Sequence, residues 1–160
     1  MIHYVFDLDD TLISHKNQIY TSLFIYDWIH EDKELTHRLE KIKGTKYIYT
    51  NATLSHAVAI IEKMNIRDKF IKVYSRDTIK YMKPDLRSFQ VVHNDISQMD
   101  QTPKVIFFFD DRLENLQTAS QMGWYTIWIH HNHSLQHMYS YVNLAFPNIK
   151  DALTFLEKSI

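Results

Sequence analysis

Short apolar runs rich in β-branched and aromatic residues recur along the chain, and each of them ends at polar residues. Runs of this length and composition are typical of buried strands. They predict strands at residues 2–6, 47–49, 71–74, 105–109 and 125–129. The run at 105–109 has five consecutive apolar residues without alternation, which is typical of a central parallel strand covered on both faces.

Between these runs, apolar residues recur every three or four positions, which is the period of a helix that packs on one side. Five helices are predicted: one at 33–43, one that begins after Thr53, one that begins at Lys83-Pro84-Asp85, one around Leu113 and one at 149–156. Gly44 ends the first of them and Gly123 ends the fourth. The apolar positions of the first four, in chain order, are Leu35, Leu39 and Ile42; Ala57, Ile60, Ile61 and Met64; Leu86, Phe89, Val91 and Val92; and Leu113, Leu116 and Ala119. Strands that alternate with helices predict a doubly wound, Rossmann-like α/β fold: a five-stranded parallel sheet with helices on both faces.

Length and composition predict one domain over residues 1–160. This length suits a single hydrophobic core, and 45% hydrophobic with 23% charged residues exclude a disordered or fibrous chain. The longest apolar run is far shorter than the ~18 residues of a membrane span, and an acidic cluster begins at Asp7, where a signal peptide would be apolar. These features predict a cytoplasmic protein.

Composition also excludes several kinds of chemistry. The absence of cysteine excludes disulfides, thiolate metal sites and a thiol nucleophile. The two glycines, Gly44 and Gly123, lie in neither a GxGxxG nor a P-loop pattern, so dinucleotide sites and Walker-type phosphate loops are not expected. We interpret the histidines of the 130–137 stretch as part of a polar loop and helix start and assign them no role: they are His130, His131, His133 and His137.

Charge is close to balanced overall and uneven along the chain. The net charge is −1, whereas residues 63–87 hold eight basic and three acidic side chains, a local excess of +5. Two interpretations are open. This segment is either a solvated basic face that balances acids elsewhere or a surface that attracts polyanions.

Polar side chains follow four of the predicted segments at the edge of the sheet where ligands bind in open parallel folds. A set of carboxylates with a lysine and a hydroxyl suits Mg²⁺ holding a phosphate, because the cation prefers oxygen ligands and the phosphate needs donors. Each segment alone is ordinary turn or cap chemistry, and the combination is what indicates a site. The candidate residues are Asp7, Asp9, Thr50, Asn51, Lys83, Asp110 and Asp111.

The order of these residues resembles the haloacid dehalogenase superfamily of phosphohydrolases. Its DxDxT motif is matched by Asp7-Leu8-Asp9-Asp10-Thr11 after a strand, followed by Thr50-Asn51, Lys83-Pro84 and Asp110-Asp111. The resemblance covers the chain to about Gly123. It implies a phosphatase (a phosphoric monoester hydrolase) that uses Mg²⁺ and an aspartyl-phosphate intermediate.

The resemblance also implies a role for each residue. Asp7 matches the nucleophile and Asp9 the general acid, whose backbone carbonyl also binds the metal. The phosphoryl group would be bound by Thr50, by the backbone amide of Asn51 and by Lys83. The implied metal ligands are Asp7, Asp9, Asp110 and Asp111, with support from Asn115.

Two features depart from the family pattern or favour another fold. Many members have glycine where this chain has Asp10. The larger side chain restricts the turn, and its carboxylate adds negative charge near the metal.

A response-regulator receiver is an alternative fold, because it also combines an acidic pair, a threonine and Lys-Pro. Its lysine follows the last strand, however, whereas Lys83 precedes two predicted strands.

The insert between the first two motifs is short, so the resemblance implies a minimal cap. Of the 40 residues between Asp9 and Thr50, a core helix and strand leave only a flap at 15–32. This flap is aromatic, and it is either a helix buried on the core or a surface. In the second case it would cover the site or form a homo-oligomer through 19–29.

An open site favours an accessible phosphate. The motif contexts are similar to pyrimidine 5′-nucleotidase-like members, and the short insert is similar to capless polynucleotide 3′-phosphatases and histidinol-phosphate phosphatases. We therefore expect a nucleotide-type or other accessible phosphate as substrate, with a polynucleotide end or a phosphoprotein as alternatives. A non-catalytic binding protein is a further alternative, although every residue needed for turnover is present.

Overall fold

The computed structural model describes residues 1–15, 26–101 and 105–160. Its strands are β1 (Ile2–Phe6), β2 (Thr45–Tyr49), β3 (Lys72–Tyr74), β4 (Val105–Asp110), β5 (Tyr125–Ile129) and β6 (Leu144–Phe146). Its α-helices are α1 (Lys33–Lys41), α2 (Leu54–Lys63), α3 (Leu86–Met99), α4 (Leu113–Gln121) and α5 (Ile149–Ser159), and two 3₁₀ helices span Arg67–Lys69 and His133–Met138.

All the strands are parallel, in the order β3-β2-β1-β4-β5-β6. Phe6, the last residue of β1, pairs with Ile48 of β2 on one side and with Phe109 of β4 on the other. This order is the Rossmann-type order, whereas receivers follow 2-1-3-4-5, so the receiver alternative is wrong. The strand order reverses between β1 and β4, and the carboxyl ends of these two central strands therefore flank the crevice in which such folds bind ligands.

The prediction of five strands is wrong, because the sheet has six. The missed strand, β6, has only three residues, pairs with β5 alone and is partly buried along its length. An edge strand this short carries no run of apolar residues long enough to distinguish it from a loop. It is followed at once by Pro147, which also favours a loop in a sequence pattern.

Helices cover both faces of the sheet, as predicted. On one face α1, α2 and α5 pack around Phe6 and Phe109, whose rings stack at 4.4 Å between centroids. On the other face α3 and α4 pack around Val5 and Phe108. Because successive strand residues point to opposite faces, the continuous apolar runs of β1 and β4 supply both cores.

Local chemistry explains several helix boundaries. The side chains of Asp32 and Thr53 accept the amides of Leu35 and His56 at 3.1 and 3.3 Å, capping α1 and α2. At Gly44 a Cβ atom would lie 2.5 Å from the carbonyl oxygen of Ile2, so only glycine fits there.

Two helix predictions need correction in detail. The helix α1 ends at Lys41, two residues before the predicted end. In α3 the predicted apolar positions Leu86 and Val91 are exposed, while Phe89 and Val92 are buried together with Ile96.

The predicted flap at 15–32 lies partly outside the described residues, which omit 16–25. Its described part packs on the core: Ile29 is buried, and Tyr26 and Trp28 are partly buried against the same cluster. The proposed contact surface at 19–29 lies mostly outside the described residues. None of the helices in the described ranges is long and apolar enough to span a membrane.

Candidate active site

The turn after β1 directs two carboxylates to the edge of the sheet. Asp7 continues the strand, its amide donating to the Phe109 carbonyl at 2.9 Å. The chain then folds around Leu8, whose carbonyl accepts three successive amides at 3.0 to 3.2 Å. Asp10 lies in the left-handed region at φ 61°, a backbone conformation that favours glycine. Aspartate is tolerated, and its carboxylate accepts the amide of His15 at 3.0 Å.

Lys83 is buried with three partners for its ammonium group. Its Nζ donates to Asp7 Oδ1 at 3.1 Å, to Asp110 Oδ2 at 2.9 Å and to the Tyr49 carbonyl at 2.8 Å. Burial alone would lower the pKa of Lys83, but the charges of Asp110 and Asp7 outweigh it and raise the pKa above its usual value. The lysine is therefore held as a cation between the two strand ends.

Asn51 holds Lys83 in place, which the sequence did not predict. Its amide Nδ2 donates to the Lys83 carbonyl and its Oδ1 accepts the Lys83 amide, both at 2.9 Å. The contact spans 32 positions and leaves no local signal in the sequence. Thr50, at the end of β2, donates its amide to Tyr74 and accepts the Ala52 amide on Oγ1 at 3.0 Å.

Asp110 and Asp111 complete the cluster at the end of β4. Asp110 is fully buried, and its carboxylate accepts the Arg112 amide at 2.9 Å and the Asn115 side chain at 3.1 Å. Asn115 thus supports the cluster through Asp110. The carboxyl group of Asp111 is hydrogen-bonded to that of Asp7.

Three carboxyl groups face each other around one lysine. Atoms of Asp7, Asp110 and Asp111 that could bind a metal all lie within 4.8 Å of one another. Burial, followed by the charge of Asp110, raises the pKa of Asp7 to about 6 even though Lys83 opposes the shift. Burial, Asp110 and Asp7 together raise the pKa of Asp111 to about 8. An all-oxygen cluster with uncompensated negative charge fits a hard divalent cation such as Mg²⁺.

The side chain of Asp9 lies apart from that cluster. Its carboxylate contacts two histidines, His15 at 2.6 Å and His56 at 3.1 Å. A metal contact through the Asp9 backbone carbonyl therefore stays a prediction. The sequence patterns gave no indication of His56, which lies 47 positions away on α2.

Two cavities meet at Asp9 and Asp10. The first has a volume of about 310 Å³ and is lined by six of the seven candidate residues, namely Asp7, Asp9, Thr50, Asn51, Lys83 and Asp111; the buried Asp110 lies behind it. The second, about 330 Å³, is lined by His15, Tyr26, Trp28 and His56. A polar cavity and an aromatic one thus lie on either side of the second aspartate.

A third and larger cleft of about 820 Å³ lies on the other side of the β1 turn. Its walls include the start of α5, His130 and His131. Several acidic side chains line it as well, Asp32, Glu34 and Asp151 among them, and Lys150 pairs with the first two.

The basic segment 63–87 is mostly neutralised. Five of its eight cations have acidic partners within 4.0 Å: Arg67, Lys69, Lys72, Lys83 and Arg87. These pairs lie among the described residues, and the attraction of polyanions to this segment stays a prediction. Arg76 lies beside the candidate site and donates to the Asn51 carbonyl at 3.0 Å.

Comparison with solved structures identifies the fold. An L-2-haloacid dehalogenase from Xanthobacter autotrophicus with chloropropionic acid covalently bound matches with a TM-score of 0.60 and 13% identity over 79% of this chain. A candidate β-phosphoglucomutase from Thermotoga maritima matches with a TM-score of 0.74 and 14% identity over the full length of both chains. The chain has the haloacid dehalogenase fold.

A third protein of this fold is a candidate hydrolase from Bacillus subtilis, bound to magnesium, which matches with a TM-score of 0.63 and 13% identity over 78% of this chain. The chain spans 61% of the length of the dehalogenase and 55% of that hydrolase. No protein-family model and no curated protein sequence matches this chain. The haloacid dehalogenase fold is thus shared at low sequence identity with proteins of different activities.

Proposed function

We propose that this chain is a Mg²⁺-dependent phosphomonoester hydrolase that works through an aspartyl-phosphate on Asp7. The observation that carries the proposal is the buried cluster at the ends of β1 and β4. There Lys83 joins Asp7 to Asp110, while Asp7 opens to the same cavity as Thr50 and Asp9. Two proteins of the same fold, one named as a candidate phosphoglucomutase and one bound to magnesium, are consistent with this chemistry.

The proposed reaction has two halves. A carboxylate oxygen of Asp7 bonds to phosphorus while the bond to the leaving oxygen breaks, and Asp9 gives that oxygen a proton. A water molecule then bonds to phosphorus and gives its proton to Asp9, while the Asp7–phosphorus bond breaks and phosphate leaves. Thr50 and the backbone amide of Asn51 would donate to the phosphoryl oxygens, and Lys83 would offset the charge of these oxygens.

The metal fits the residues present. Asp7, Asp110 and Asp111, with the Asp9 carbonyl, would hold Mg²⁺, whose charge would offset the carboxylates and the phosphoryl group. Lys83 alone leaves an excess of negative charge in the cluster.

For the substrate, we propose a nucleotide-type phosphate. The leaving group must lie on the side of Asp9, because Asp9 protonates it, and the aromatic cavity with Tyr26 and Trp28 adjoins Asp9. Aromatic walls suit the planar face of a base. A polynucleotide 3′-end and a phosphoprotein are the alternatives among substrates, and self-association through 19–29 stays a separate prediction.

Phosphate release in the presence of Mg²⁺ tests the proposal. Wild type and Asp7→Asn would be compared on p-nitrophenyl phosphate, nucleoside monophosphates, a 3′-phosphorylated oligonucleotide and a phosphopeptide. We expect wild type to release phosphate and Asp7→Asn to be slower by at least about 10³-fold, because the nucleophile is lost.

The matched control is Asp68→Asn, an exposed acid on the 3₁₀ helix Arg67–Lys69, which should keep full activity. EDTA should abolish turnover, and added Mg²⁺ should restore it. A folded protein that binds Mg²⁺ and releases phosphate from none of these substrates would favour the non-catalytic alternative.

A further inference from the structure

The carboxylate of Asp9 is held between two imidazoles from different parts of the chain. His15, in the turn after β1, places Nε2 2.6 Å from Asp9 Oδ1. His56, in the first turn of α2, places Nε2 3.1 Å from both carboxylate oxygens. Among the described residues, Oδ1 thus has two partners and Oδ2 has one, which leaves Oδ2 capacity for a further contact.

Each imidazole is itself oriented by an aromatic residue of the second cavity. The Tyr26 hydroxyl lies 2.9 Å from His56 Nδ1. If that hydroxyl donates, the ring proton of neutral His56 is on Nε2, directed at Asp9. The ring of His15 meets the edge of Trp28, with centroids 5.2 Å apart. The support for Asp9 therefore extends to a second layer of side chains.

Solvent is an alternative partner for the Asp9 carboxylate. The side chain of Asp9 is 32% exposed, so water could satisfy its oxygens without either histidine. Two imidazoles that converge on a carboxylate already accessible to water restrict its rotation. A restricted carboxylate at the junction of the two cavities is what proton transfer to a leaving group needs.

We propose that His15 and His56 are positioning residues that hold Asp9 for proton transfer between the polar cavity and the aromatic one. This inference rests on the proposed phosphohydrolase function. When the phosphorus–oxygen bond breaks, its electron pair goes to the leaving oxygen, which takes the proton of Asp9. The N–H groups of the two imidazoles then stabilise the carboxylate that remains.

The leaving group makes this role measurable. A nucleoside 5′-monophosphate has an alkoxide leaving group that must be protonated, whereas p-nitrophenolate leaves without a proton. For His15→Ala and His56→Ala, we expect kcat on the nucleotide to fall by about 10- to 100-fold, part of the ~10²- to 10⁴-fold that a general acid supplies. On p-nitrophenyl phosphate, kcat should stay within about 3-fold of wild type.

Three further variants and a control separate positioning from folding. His15→Gln and His56→Gln keep an N–H donor near the position of Nε2, so they should recover most of the nucleotide activity. Tyr26→Phe removes the hydroxyl beside His56 and should give a smaller loss, again confined to the nucleotide. The exposed His37 of α1 is the matched control, and His37→Ala should match wild type on both substrates. Thermal unfolding would check that each variant is folded.

Each outcome bears on one proposal or both. Equal loss on the two substrates, or failure of the glutamine variants to recover nucleotide turnover, would overturn the positioning role. If wild type hydrolyses neither substrate, the proposed function fails first. If Asp7→Asn abolishes turnover while both histidine variants keep the wild-type ratio of the two substrates, only the positioning role is lost.

Discussion

The two ends of β1 both bury polar side chains, and they do so differently. At the amino end, His3 is 1% exposed, with Nε2 2.9 Å from Asp100 and Nδ1 3.0 Å from the Tyr47 hydroxyl. At the carboxyl end, Asp7 shares a buried cluster with two further carboxyl groups and Lys83. The strand thus connects two polar clusters, and its apolar residues between them belong to the cores on both faces of the sheet.

The difference lies in the balance of charge. Around His3 the described part of the chain places one imidazole against one carboxylate, and burial raises the pKa of Tyr47 to about 12, which keeps its hydroxyl neutral. Around Asp7 three carboxyl groups face one lysine. A balanced buried cluster needs nothing from outside, whereas an unbalanced one is stable only with protons or a cation. The unbalanced end is the one we assign to function.

The largest effect of a substitution should follow from removing Lys83, which pairs with Asp7 and Asp110 at the carboxyl end of β1. Lys83→Met leaves Asp7 and Asp110 buried without a counter-charge, so the free energy of unfolding in EDTA should fall by about 3–5 kcal/mol. Phosphate release should fall by about 10²- to 10³-fold, because Lys83 would offset the charge of the phosphoryl group in the proposed reaction. Urea unfolding and phosphate-release assays measure the two effects.

The control for that variant is Lys72→Met, which removes a lysine paired with Asp95 at the surface. Its cost should stay below about 1 kcal/mol, as is usual for exposed pairs. Equal stability of Lys83→Met and Lys72→Met in EDTA would contradict our account of the cluster.

A substitution at the amino end of β1 should change the stability of the protein and leave its activity unchanged. His3→Phe removes a buried partner from Asp100 and Tyr47, and we expect the free energy of unfolding to fall by about 2–4 kcal/mol. Mg²⁺ affinity and phosphate release of the folded variant should equal those of wild type. The exposed His37→Phe is the control in the same urea experiment. A change in Mg²⁺ affinity would show that the two ends are coupled.

A slope of stability with pH is also expected. In the metal-free protein the pKa values of Asp7 and Asp111 rise from 3.8 to about 6 and about 8, so the folded state holds protons that the unfolded chain releases. Stability should therefore fall as pH rises from about 4 to about 8. Because Mg²⁺ binds ionised carboxylates, the stabilisation that it gives should grow over the same range.

Thermal unfolding in EDTA and in Mg²⁺ across that range tests the slope, and the melting temperature in EDTA should be lower at pH 8 than at pH 4. The variant Asp111→Asn should flatten the slope. Lys72 and Tyr74 lower the pKa of Asp95, so its contribution is lost only at more acidic pH, below this range. A metal-free stability that rises between pH 4 and pH 8 would be inconsistent with the crowded carboxyl groups.

Sequence patterns predicted the parts of this molecule that depend on local chemistry. The apolar runs predicted β1 and β5 with their observed bounds, and Thr53 was predicted as the cap of α2. The candidate residues were predicted to meet because carboxyl ends of parallel strands share one edge, and the structure brings Asp7, Lys83 and Asp110 within hydrogen-bond distance.

Other features depend on contacts that no local pattern records. The Asn51 contact with Lys83 and the His56 contact with Asp9 join residues far apart in the chain. The strand β6 is too short to leave a pattern, and its pairing with β5 decides its structure. Such features follow from the assembled fold.

The most direct test of the central claim is to detect the covalent intermediate on Asp7. Wild type would be mixed with p-nitrophenyl phosphate and Mg²⁺, quenched in acid within one turnover, and digested for mass spectrometry. We predict one added phosphoryl group on the peptide that contains Asp7, and none in Asp7→Asn or in EDTA. Phosphate release by wild type without any phosphorylated peptide at matched quench times would contradict the aspartyl-phosphate route.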